Sequence, residues 1–118
     1  MIDIALETKN LHTNFYSQGR VIKAVNGISF NLEKKNTLGI VGESGCGKSV
    51  TALSLLRLIP NPPGKIVEGT INFEGQNILE FSDDEIRKVR GNKISMIFQE
   101  PLTSLNPVLT IGFQIMEV

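Results

Sequence analysis

The octet Gly42-Glu43-Ser44-Gly45-Cys46-Gly47-Lys48-Ser49 fits the spacing G-x-x-x-x-G-K-[ST], and nothing else in the chain restricts its fold as much. Upstream, Thr37-Leu38-Gly39-Ile40-Val41 is a short apolar run that predicts a buried strand. Downstream, Ala52, Leu55, Leu56 and Ile59 recur at helical spacing, so a helix is expected to start near Lys48. Strand, glycine-rich turn and helix are the setting in which this spacing binds phosphate. The glycines let successive N–H groups from Gly42 to Val50 converge on an anion. The helix start adds unpaired N–H groups and the positive end of its dipole. Lys48 is placed to reach β- and γ-phosphates, and the Ser49 hydroxyl to ligate Mg²⁺. The plainer reading, a glycine-rich turn capping a helix, leaves the fixed spacing and both flanks unexplained.

The charge balance narrows the choice of ligand. The 118 residues carry 12 Lys+Arg and 12 Asp+Glu, with no basic face, so nucleic-acid binding is not expected. A hydrophobic fraction of 41% suits a globular chain with a real core. The single cysteine, Cys46, rules out an internal disulfide. Its place near a helix N-terminus favours thiolate, although a small residue is all that this position of the loop requires. His12, the one histidine, reads as a strand residue. No signal-peptide core and no run of ~18 apolar residues is present, so a soluble, cytosolic chain is expected.

Residues 2–15 and 21–32 read as extended segments joined by the polar turn Ser17-Gln18-Gly19-Arg20. The helix after the octet is expected to run to Pro60-Asn61-Pro62-Pro63-Gly64, a strong breaker. Thr70-Ile71-Asn72-Phe73 alternates like a strand. Ser82-Asp83-Asp84-Glu85 has the form of a capping box and predicts a short helix to about Arg90. Gly91-Asn92 would end it, and Ile94-Ser95-Met96-Ile97-Phe98 predicts another buried strand. Gln99 to Pro107 reads as loop, and a helix is expected to begin near Thr110.

Three stretches together resemble the ATP-binding subunits of ABC transporters, in particular the oligopeptide/dipeptide importer branch. They are Ala24-Val25-Asn26-Gly27-Ile28-Ser29-Phe30, the run Leu38 to Ser49, and Met96-Ile97-Phe98-Gln99-Glu100-Pro101-Leu102-Thr103-Ser104-Leu105-Asn106-Pro107. The resemblance implies an α/β fold: a P-loop NTPase core of ABC type with an N-terminal antiparallel β flank, incomplete at its C-terminus. It divides one ATP-binding domain into a flank (1–36), a core segment (37–98) and a Q-loop with the start of a helical subdomain (99–118). Gln99 matches the Q-loop glutamine, which in the family approaches Mg²⁺ and the attacking water. Phe15 best matches the aromatic that stacks on adenine, with Tyr16 the neighbouring alternative. ATP and Mg²⁺ are the implied ligands. The implied partners are membrane-embedded permease subunits and a second ATP-binding subunit, with the chain peripheral on the inner face of the membrane.

Lys35-Asn36 stands where relatives commonly carry Gly-Glu, and asparagine tolerates turn geometry. Val50 replaces a threonine frequent after the octet. No Leu-Ser-Gly-Gly-Gln signature, Asp-Glu strand or switch histidine follows the Q-loop, so the chain is expected to be the N-terminal half of such a subunit. Loss of those groups predicts negligible turnover, and the strands beside the P-loop strand are expected to lack neighbours. Three functions remain open: the ATP-binding segment of a peptide importer, a nucleotide-binding module without turnover, and another P-loop enzyme. The tail after Gln99 speaks against the third.

Overall fold

The computed structural model describes residues 3–43, 47–98 and 107–116. β1 (Ile4–Ser17) and β2 (Arg20–Glu33) form the long hairpin expected from the N-terminal alternation. Gln18 and Gly19 make its turn with φ of 48° and 74°. Two left-handed residues in a two-residue loop match the twist of the paired strands. Glu74 and Gly75, at φ 50° and 84°, close β3 (Gly64–Phe73) onto β4 (Gln76–Asn77) in the same way. β3 lies antiparallel to β1, so one sheet runs in the order β2-β1-β3-β4. It starts at Gly64 rather than Thr70, because β1 offers it partners from Phe15 back to Leu6.

β1 buries Leu6 and Thr8, then Leu11 and Thr13. An unbroken period of two would turn residue 10 inward. A bulge at Asn10, φ 50°, shifts the phase so that the same face stays buried. Gly69 of β3 lies against it at φ 108°, where a Cβ would fall 2.6 Å from the Asn10 carbonyl oxygen. Only glycine fits there.

Leu6, Leu11, Val25 and Ile71 of the sheet meet Ile78 from a 3₁₀ turn (Ile78–Glu80) and Ile86 and Val89 of a helix. That helix spans Asp83–Val89 and carries the expected capping box: Glu85 N–H donates to Ser82 Oγ, and Ser82 N–H to Glu85 Oε1, both at 3.2 Å. The helix ahead of it in the chain, α1 (Lys48–Leu55), follows the octet, so Asp83–Val89 is α2. The last helix, α3 (Ile111–Met116), starts beside Thr110 as expected.

Three expectations fail. α1 ends at Leu55, short of the prolines, because Arg57 takes a left-handed φ of 54° and closes the last turn. Thr51 and Ser54 are buried, small side chains that allow close approach to the sheet, and of the expected apolar set Leu56 is buried and Leu55 packs against the core. Thr37–Val41 and Ile94–Phe98 do not form strands among the described residues. A strand apolar on both faces needs ladder partners and cover. The second segment has a single parallel bridge, Arg90 to Ile94, and the first has none, leaving Val41 93% and Ile97 89% exposed.

A turn follows β2, as the Lys35-Asn36 pair requires. Asn36 N–H donates to Glu33 O at 3.2 Å, but Lys35, not Asn36, takes the left-handed conformation, φ 64°.

Candidate nucleotide site

The site is built around Gly47. It caps α1 at φ 97° and ψ 7°, and a Cβ there would lie 2.5 Å from the Ala24 carbonyl oxygen of β2. Both the backbone angle and the close approach demand glycine. Thr51 holds the cap: its N–H and its hydroxyl both donate to Gly47 O, at 2.9 and 2.8 Å. The helix therefore starts at Lys48 in a fixed direction, and its first N–H groups have no intrahelical acceptor.

No acidic residue stands in the first turn of α1, so the positive field at that end is not cancelled locally. The Lys48 ammonium folds back over the loop and donates to Gly42 O. Gly42, Glu43 and Ser49 are exposed, whereas Val50 packs against the core cluster. An apolar residue at 50 is thereby accounted for: its side chain faces inward. Ser44, Gly45, Cys46 and Gln99 lie outside the described residues.

Among the described residues no group of three or more His, Cys, Asp or Glu could hold a metal ion. Mg²⁺ is usually bound by one or two protein oxygens with phosphate and water completing the shell. The exposed Ser49 hydroxyl beside the helix start fits that mode of binding.

The two aromatics of β1 stand on opposite sides of the sheet. Thr13 Oγ1 and Ser54 Oγ share a hydrogen bond of 2.9 Å, so this face of β1 looks at α1. Phe15, two residues on, shares that face, and a Cβ on Gly64 would come within 2.9 Å of its ring. Tyr16 points to the other side, 45% exposed, and accepts a hydrogen bond from Asn14. The Phe15 ring lies toward Gly64, and Phe15 pairs with Ile22 of β2, two residues from the Ala24 that Gly47 meets. His12 is a strand residue: its Nδ1 is 2.9 Å from Asn10 O and 3.6 Å from Glu68 Oε2. A cavity of about 300 Å³ lined by Arg57, Ile59, Asn61 and Lys65 lies behind α1, apart from Lys48.

Sequence reasoning passed over Thr51, Arg57 and Arg90, the residues that fix the two ends of α1. Their signals are modest: a hydroxyl four residues after Gly47, and basic side chains at the ends of helical segments.

The family model described as ABC transporter matches residues 25–115. The chain belongs to that family. This ABC-family chain is 53% identical over 115 residues to a probable peptide ABC transporter ATP-binding protein of Sinorhizobium fredii, covering 98% of the chain and 34% of that protein. It is 50% identical to the oligopeptide transport ATP-binding protein AppD of Bacillus subtilis (96% and 34% covered). Against the dipeptide transport ATP-binding protein DppD of Lactococcus lactis the identity is 52%, with 95% and 32% covered. The chain thus spans about a third of the length of the curated relatives it matches.

Among solved structures, a dimeric post-hydrolysis state of the ATP-binding cassette MJ0796, bound to ADP and Pi, is similar at a TM-score of 0.71 and 25% identity. It covers 89% of this chain and 42% of that one. No helix of the described residues is long and apolar enough to cross a membrane.

Proposed function

We propose that the chain is the phosphate-gripping segment of an ATP-binding subunit that energises uptake of oligopeptides or dipeptides. One observation carries the reading: a helix start whose cap admits only glycine, with Lys48 as its first residue and no acid in its first turn. That arrangement suits a polyanion. The backbone N–H groups from Gly42 to Val50 hold phosphate oxygens, and Lys48 exchanges the Gly42 carbonyl for the β- and γ-phosphates. Ser49 supplies one oxygen to Mg²⁺, which neutralises phosphate charge when bound. Gln99 orients water near the γ-phosphate, and Phe15 rather than Tyr16 stacks on adenine, being on the helix side of the sheet. Permease subunits and a second ATP-binding subunit complete the assembly at the cytoplasmic face of the membrane.

A second reading, a nucleotide-binding module with no turnover of its own, is favoured by the segment entering the loop. Thr37–Val41, which enters the loop, has no ladder partner among the described residues. Electrostatic catalysis depends on groups held in place beforehand. Calorimetry with MgATP tests the binding claim: Lys48→Ala is expected to abolish the heat of binding, and Phe15→Ala to weaken ATP roughly 5- to 100-fold, by analogy with base stacking. Equal affinity in wild type and Lys48→Ala defeats the phosphate assignment. Turnover by this chain at the rate of a complete transporter ATPase defeats the second reading.

A further inference from the structure

α1 ends in a turn that would ordinarily be closed by glycine. Leu58 N–H donates to Leu53 O at 2.9 Å and Arg57 N–H to Ser54 O at 3.1 Å, a closure that requires a left-handed residue at 57. Arginine occupies it, and its side chain reaches away from the helix. Arg57 Nη1 donates to Phe81 O at 2.6 Å and to Ile78 O at 3.3 Å. From the opposite direction Arg90 Nε donates to Leu56 O and Arg90 Nη2 to Arg57 O, each at 2.8 Å. The carbonyls left over at the helix end are thus taken by a planar fork, with a cation at the negative end of the dipole.

Arg90 has a second attachment. It is the C-cap of α2 and bridges to Ile94, with Gly91 N–H to Ile94 O at 2.8 Å and Ile94 N–H to Val89 O at 3.1 Å. Ile94 packs against the core and stands five residues before Gln99 in the chain. The residue whose side chain holds the end of α1 therefore also lies, through its backbone, in the turn that holds Ile94, the start of the segment leading to that glutamine. A shift of α1 along its axis must either break an arm of the fork or carry the Arg90 backbone, and with it the turn that holds Ile94.

We infer that Arg90 is a positioning residue that couples nucleotide at the start of α1 to the order of Ile94–Phe98. The inference rests on the nucleotide reading above. Coupling between two sites is reciprocal and commonly amounts to about 5- to 150-fold. MgATP is accordingly expected to slow amide exchange across 47–55 and, by at least about five-fold, across 94–98.

Amide hydrogen exchange on the 118-residue chain, with and without MgATP, tests this in wild type, Arg90→Ala and Arg90→Lys. Both variants are expected to keep the slowing at 47–55 and to lose more than half of that at 94–98. Lysine keeps the charge but cannot fork to two carbonyls. A residue that only stabilises the fold would raise exchange in the absence of nucleotide and leave the nucleotide-induced change intact. Slowing at 94–98 that survives in both variants, or that is absent from wild type while 47–55 responds, overturns the coupling alone. No response at 47–55 in wild type overturns the nucleotide reading and the coupling with it. If Arg90→Ala does not fold, Arg90→Lys decides: full wild-type coupling in it refutes the role of the fork.

Discussion

Replacing threonine by valine at two positions of β1 should move stability in opposite directions, although the chemistry and the burial are the same. Thr8 and Thr13 are both fully buried on the core face. Thr8 Oγ1 has no hydrogen-bond partner among the described residues. A buried hydroxyl left unsatisfied costs about 1–3 kcal/mol. Thr8→Val removes that cost and adds a methyl group worth about 0.8 kcal/mol on burial. A net gain of about 1–2 kcal/mol is expected after allowing for residual burial in the unfolded chain.

Thr13 differs because Ser54 already donates its hydroxyl hydrogen to Val50 O at 2.7 Å. Thr13 is therefore the donor in the 2.9 Å bond between the two hydroxyls. Thr13→Val removes a bond worth about 1 kcal/mol net and leaves Ser54 Oγ short of a donor. The two variants should differ by about 2–3 kcal/mol, roughly 8–20 °C in melting midpoint for a domain of this size. Urea unfolding, with unchanged m-values, measures the gap directly. A midpoint for Thr8→Val at or below wild type would show that its hydroxyl is satisfied and refute the reasoning.

Two further substitutions test the backbone. Lys35 holds φ 64° without a Cβ-free residue, so Lys35→Gly is expected to raise stability by up to about 1 kcal/mol; an unchanged urea midpoint counts against strain at this turn. Gly69→Ala drives a Cβ to within 2.6–2.8 Å of the Asn10–Leu11 backbone at φ 108°, and should cost at least about 3 kcal/mol. A loss under ~1 kcal/mol would mean that β1 and β3 separate at the bulge more easily than the packing allows.

The helix start at the candidate site was legible because its signals are short-range. The octet fixes a helix start, and Gly47 at φ 97° is where that spacing puts it. Ser82 and Glu85 cap α2 as their spacing requires, since both hydrogen bonds close within one turn. Gln18-Gly19 closes its hairpin by backbone preference alone. The strand forecasts at Thr37–Val41 and Ile94–Phe98 failed for the opposite reason. Apolar character says that a segment wants burial, but a ladder is made by whichever chain lies alongside it.

The sequence by itself determined the glycine-capped start of α1, the capping box and the N-terminal hairpin, each set by backbone angles and bonds among near neighbours. Tertiary structure alone decided which face of β1 stays buried past Asn10, because Gly69 must come from β3 to meet the bulge. It also decided that Phe15 rather than Tyr16 shares the helix side, and that α1 stops at Leu55 under two arginines, one of them thirty-three residues downstream of the other. Those outcomes depend on groups far apart in the chain, whose meeting no local propensity encodes.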